Sequence, residues 1–227
     1  MIPLKDDAPR ESFPYITVSI ILINVTVFVY ELSLGYRGMG NFIYSTAAIP
    51  YEITHFKDIG QTAVVMPPLT LVTSIFVHGG FFHLAGNMLF LWIFGDNIED
   101  RLGRFKFILF YLLTGLIASG AHVLVSPTST LPMIGASGAI AGVLGAYFVL
   151  FPRANVKTLI FLFVFVSIVR IRAVFFLGIW FLFQLLSSGS GTGIAWYAHI
   201  GGFVAGAVLI KFFTGRGGRA AYQRERG

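Results

Sequence analysis

The chain contains no cysteine, which excludes disulfides, iron–sulfur clusters, thiolate zinc sites and cysteine nucleophiles. Charge is scarce too. Asp, Glu, Lys and Arg make up 11% of the 227 residues, against about 25% in soluble domains. With only 16 basic and 10 acidic side chains, a soluble fold of this length could not cover its surface. Disorder and nucleic-acid scaffolding fail for the same reason, and no nucleic-acid partner is expected. An HExxH motif is missing, and no Asp or Glu lies deep in an apolar run; Glu31 and Asp96 sit near run ends. Zinc-hydrolase and paired-carboxylate chemistry at membrane depth therefore have no residues to work with. No internal repeat points to a transporter built from duplicated halves.

What is abundant is apolar. Hydrophobic residues reach 56%, with 24 Phe and 26 Gly, and mean hydropathy is +0.80. This is the composition of an integral membrane protein. A helix crossing the hydrocarbon core needs about 20 mostly apolar residues. Six segments approach that length: 15–34, 81–94 with the apolar lead-in 69–77, 105–125, 135–151, 173–186 and 198–213. Several are short, which is tolerated where backbone is buried in protein or lines a wet cavity. Residues 158–169 (TLIFLFVFVSIV) are apolar enough to suggest another span, yet as a helix they reach only ~18 Å. Arg153 and Lys157 precede them and Arg170 and Arg172 follow, so crossing would strand one pair. We read this segment as a hydrophobic, membrane-surface part of the loop.

The basic residues set the orientation. With the termini and the loops after the second and fourth spans on one side, that side collects all but Arg37 and Lys57 of the 16 Lys and Arg residues. The positive-inside rule then makes both termini cytoplasmic, with a bacterial inner membrane as the expected location. The expected organisation is a cytoplasmic segment over 1–14, six spans over 15–213 and a basic tail over 214–227, which suits anionic lipid. The N-terminus mixes Lys5 and Arg10 with Asp6, Asp7 and Glu11, and no small-residue cleavage site follows, so it reads as neither signal nor transit peptide.

Ionisable or reactive residues inside the spans are functional candidates by default. In HGGFFHLAGN, His83 and Asn87 are four apart and share one helix face, with His78 at the mouth of the same span. In GASGAIAGVLG, Ser137 opens the fourth span between Gly135 and Gly138. In AHIGGFVAG, His199 opens the sixth, over Gly202 and Gly206. Both spans enter from the same side, so Ser137 and His199 lie at similar depth. Small residues four apart let two helix backbones approach closely, bringing a hydroxyl within reach of an imidazole. Taken singly, such glycines mean packing, and a lone serine bonds its own helix backbone. It is the conjunction that carries chemistry. His55 and His122 read as structural. His78 and His83 are five apart and off a common face, so no metal site is expected.

Together HGGFFHLAGN, GASG and AHIGGFVAG, over about 70–206, resemble the rhomboid family of intramembrane serine proteases. The resemblance implies an all-α membrane protein, a six-transmembrane-helix bundle without cofactor or metal. It implies Ser137 as nucleophile and His199 as general base, with no carboxylate third member. His83 and Asn87 correspond to family residues that stabilise the oxyanion, and His78 to a supporting one. The implied partners are transmembrane protein substrates and the lipid bilayer. Two features depart from the pattern. The aromatic residue that some members stack on the base is Ala141 here, so His199 must be oriented otherwise; a Trp-Arg pair in the first outer loop is missing. FLGIWFLFQLL, with Trp180 and Gln184, also resembles family sequences, and Trp180 is either a lateral substrate gate or a packing residue. Two other classes use the same polar cluster: a protease-inactive rhomboid-like protein that binds clients, and a small channel or transporter.

Overall fold

The computed structural model describes residues 1–59, 65–162, 165–188, 190 and 193–214, so the basic tail lies outside the described residues from 215 onward. A helical bundle carries the chain through the membrane. Among the described residues three helices are long and apolar enough to cross: α1 (Tyr15–Ser33), α6 (Arg104–Val125) and α9 (Trp196–Phe213). Between α1 and the next span lie α2 (Gly35–Thr46), α3 (Pro50–His55) and the short α4 (Thr70–Thr73). A fourth span joins Pro67–Phe76 to α5 (Phe81–Leu102) across a 79° bend that contains His78. Two apolar helices are shorter, α7 (Ser137–Leu150) and α8 (Ala173–Ser187). All six expected segments are therefore helical, and α5 runs two turns further than its apolar stretch.

These helices are inverted relative to soluble ones. α1 buries Thr17, Ile20, Asn24, Phe28 and Glu31 at helical spacing while exposing Leu22, Ile23, Val25 and Val29. In a lipid solvent the polar groups must be satisfied inside the protein. α7 stands at the centre, with Ala139 to Tyr147 buried without interruption. At 14 residues it reaches only ~21 Å, which the burial of its central turns within the bundle permits. It packs against α9 backbone to backbone. A Cβ at Gly202 or Gly206 would overlap the carbonyl oxygen of Gly138 or Gly142, and one at Gly145 that of Phe203. Glycine is needed there for approach.

The 158–169 segment, read as a membrane-surface part of the loop, forms two antiparallel strands on either side of residues 163–164, which lie outside the described residues. It belongs to a three-stranded antiparallel sheet with β1 (Ile2–Asp6), β2 (Asn155–Leu162) and β3 (Phe165–Arg172) in that order. Alternating side chains with β-branched Val, Ile and Thr suit a pleat buried on one face, and Pro3, Val156 and Thr158 fill that face. The partner strand comes from the chain's N-terminal segment, so residues 1–14 are strapped to the bundle rather than trailing from it. Asp7 accepts from the backbone N–H of Asn155 at 2.6 Å. Arg10 pairs with Asp96 at 2.9 Å. Asp100 accepts from the backbone N–H of Ser12. Glu99 caps α1, accepting from the N–H groups of Ile16 (2.9 Å) and Thr17 (2.7 Å) and from the Thr17 hydroxyl (2.8 Å). A carboxylate there satisfies orphan donors at a helix N-terminus and complements its dipole.

Candidate active site

Ser137 is the first residue of α7 and His199 lies in the first turn of α9. The close α7–α9 approach brings them together: the Ser137 hydroxyl is 2.8 Å from His199 Nε2. Both are partly buried at the bundle end opposite the one where the Lys106 ammonium donates to the Phe213 carbonyl.

The imidazole is fixed from its other side by α8. His199 Nδ1 lies 2.7 Å from Gln184 Oε1, and Gln184 Nε2 donates to the Trp180 carbonyl at 3.1 Å. The amide orientation is thereby determined, since only the NH₂ group can donate to a carbonyl. Gln184 Oε1 then accepts, Nδ1 carries the ring proton, and Nε2 keeps a lone pair that faces the Ser137 hydroxyl. Two indoles flank the ring, Trp196 edge-on at 6.0 Å and Trp180 tilted at 6.2 Å between centroids. Ala141, where the sequence pattern left an aromatic missing, is buried against the Gly202 position instead. Gln184 is the residue the sequence did not single out for this task. The one available signal was an amide in a span of otherwise apolar side chains.

Gly135 links the serine turn to α5. Its φ of +110° lies where L side chains are strained, and its N–H donates to the Ser74 carbonyl at 2.9 Å. A Cβ there would fall 2.6 Å from His83 Nε2 and 3.4 Å from Asn87 Nδ2. The two α5 side chains therefore point at the backbone two residues before Ser137. Asn87 is buried and His83 exposed. Asn87 Nδ2 is held by His78 Nε2 at 3.0 Å, and the His78 and His83 rings meet edge-on at 5.1 Å. An amide nitrogen only donates, so His78 accepts with Nε2 and its buried Nδ1 has no partner among the described residues. Glu31 of α1 takes the His78 backbone N–H at 3.2 Å.

The other candidates sort by position. Gly138 packs against Ala118 of α6, and Gly202 and Gly206 make the α7–α9 contact. His55 stacks on Tyr51 at 4.1 Å and His122 faces Tyr197 at 6.3 Å between ring centroids. A cavity of about 20 Å³ beside Ser137, lined by Ser74 and Ser119 among others, has room for a single water. An apolar cleft of about 370 Å³ between α5 and α8 is lined by Phe90, Phe176, Trp180, Phe183 and Gln184, with Met1 of the N-terminal segment also in its wall. It ends at the side chain that holds His199. Among the described residues no group of His, Asp and Glu is arranged to hold a metal.

Fold and site together define a helical integral membrane protein with a serine–histidine pair between its two most closely packed helices. A rhomboid domain model matches residues 68–216, and the chain belongs to the rhomboid family. It is 31% identical over 175 residues to rhomboid protein 1, mitochondrial, of Saccharomyces cerevisiae, covering 72% of this chain and 47% of that protein. It is 46% identical over 76 residues to the rhomboid protease GluP of Bacillus subtilis, covering 34% of this chain and 14% of that one. It is 36% identical over 115 residues to the mouse presenilin-associated rhomboid-like protein, mitochondrial, covering 50% and 30%. The chain thus spans less than half the length of these relatives.

Proposed function

We propose that this protein is an intramembrane serine endopeptidase that cuts transmembrane segments of membrane proteins, with Ser137 as nucleophile and His199 as base. The observation that carries the reading is the 2.8 Å contact between the Ser137 hydroxyl and His199 Nε2, in the tautomer that Gln184 imposes. Ser137 Oγ attacks the scissile carbonyl carbon and its proton passes to Nε2. The oxyanion forms near the Ser137 backbone N–H, the Asn87 amide and His83, with His78 holding Asn87. The imidazolium returns the proton to the leaving amine as the C–N bond breaks. Water then gives a proton to Nε2 and attacks the acyl ester; the imidazolium returns that proton to Ser137 Oγ as the ester C–O bond breaks and the acid product leaves. The small cavity beside Ser137, with Ser74 and Ser119 in its lining, suits that water.

Gln184 is a positioning residue in this scheme. It does what a carboxylate does in a Ser–His–Asp triad but without a charge to stabilise the imidazolium, so turnover is slow. The α5–α8 cleft is the lateral approach for a substrate helix, past Trp180. Helical backbone has its carbonyls occupied, so cleavage favours a segment that unwinds near the dyad end. The basic residues support an orientation with both termini cytoplasmic and the dyad end outward; a bacterial inner membrane is the location we propose.

Fluorophosphonate labelling of the detergent-purified chain tests the reading. Wild type labels at Ser137, while Ser137→Ala and His199→Ala do not. Labelling that neither substitution changes rules out the dyad. Solute flux in liposomes that survives Ser137→Ala would favour a channel instead.

A further inference from the structure

On the exposed face of the three-stranded sheet, the register sets Lys5 opposite Lys157 and Lys157 opposite Arg170. Strands about 4.8 Å apart hold the three Cα atoms within about 10 Å. Like charges directly opposite one another destabilise strand pairing, so a row of three calls for an anion among them. They border a hollow of about 260 Å³ with Asp6, Asp7 and Asn155. Both acids are engaged in the fold. Asp7 accepts from the Asn155 backbone N–H at 2.6 Å and its side-chain nitrogen at 2.8 Å, and Asp6 accepts from the Tyr147 hydroxyl.

Further along the strands the same face turns apolar. The next row is Ile2, Leu159 and Ile168, followed by Phe161 and Val166. Ile168 and Val166 are each 62% exposed and Phe161 57%. A basic row continuous with open apolar rows suits neither water nor a soluble acidic partner. Position decides what covers it: β2 follows shortly after α7 ends and β3 runs directly into α8, so the sheet lies where two membrane helices stop. Phosphates and acyl chains meet at that level.

We propose that this sheet face is a phospholipid site, in which Lys5, Lys157 and Arg170 hold the lipid phosphate and the rows Ile2–Leu159–Ile168 and Phe161–Val166 pack against its chains. The proposal is independent of peptidase activity. Native mass spectrometry of the purified chain with dimyristoyl phosphatidylglycerol reads it out. The double substitution Lys157→Gln, Arg170→Gln weakens binding by roughly fivefold per charge removed, whereas Lys157→Arg, Arg170→Lys keeps it. Dimyristoylglycerol, which has the chains without the phosphate, does not compete, and neither does inorganic phosphate. Equal phosphatidylglycerol binding by wild type and the charge-removed variant overturns the proposal. Displacement by inorganic phosphate does too, and would mark a site for the free anion. Since the chain has no cysteine, Ile168→Cys carries a unique spin label. In phosphatidylglycerol liposomes this label is reached by oxygen; access by a water-soluble nickel complex instead overturns the lipid assignment in favour of a soluble partner.

Discussion

Gln184 Oε1 and His199 Nδ1 lie 2.7 Å apart, on helices joined by the loop that follows α8. This bond decides which imidazole nitrogen is free to accept from Ser137, and so whether the serine has a base at all. Gln184→Leu leaves the ring unheld; kcat falls by about 10²-fold with KM little changed, less than the ~10⁴ lost when a triad carboxylate gives the wrong tautomer. Gln184→Glu keeps the acceptor and recovers most of that activity. Steady-state cleavage of a transmembrane substrate in proteoliposomes measures both. Equal losses in the two variants would reduce Gln184 to packing.

The oxyanion assignment makes a different demand. Asn87→Ala removes a donor aimed at the charge that develops in the transition state, so kcat drops by about 10²–10³-fold while KM holds. His78→Ala acts only through Asn87, so the double variant is no worse than Asn87→Ala alone. Additive losses would show that His78 contributes on its own.

The α7–α9 contact sets the distance between serine and histidine. Gly206→Ala forces a Cβ onto the Gly142 carbonyl, costing about 1–3 kcal/mol as overpacking does and lowering fluorophosphonate labelling together with the unfolding midpoint. Gly120→Ala on α6 meets nothing within 4 Å. It is neutral or stabilising by up to about 1 kcal/mol, and it controls for substitution in a membrane helix.

Burial raises Asp6 above its ordinary value of 3.8, with the Tyr147 hydroxyl working in the other direction. A carboxyl whose folded pKa is raised favours the fold most fully below its unfolded value, and loses that contribution as pH climbs through the folded one. Asp6→Asn keeps an acceptor for Tyr147 and removes the titration. The wild-type unfolding midpoint therefore declines relative to the Asp6→Asn midpoint from about pH 4 upward. Parallel curves in detergent would mean that Asp6 is not buried as charge.

Membrane class, the six helical segments and the residues of the polar cluster were all legible in the amino-acid order alone. Apolar run length, the positions of arginine and lysine, and glycine spacing are all local properties of a chain meeting a bilayer. Pairing of Ser137 with His199 was legible because matching glycines on both helices imply contact at one depth. The rest depended on how the helices pack in three dimensions. Gln184 differed from its apolar neighbours, but which of its faces met His199 depended on the rotation of α8. The carboxylate of Glu99 sat in a helical run and found the start of α1, 82 residues away in the chain. The segment 158–169, read as a membrane-surface part of the loop, instead contributes to β2 and β3, and a strand from the N-terminus pairs with β2. Hydrogen-bond partners across such separations follow from how elements rotate and stack, and periodicity along one segment does not encode that.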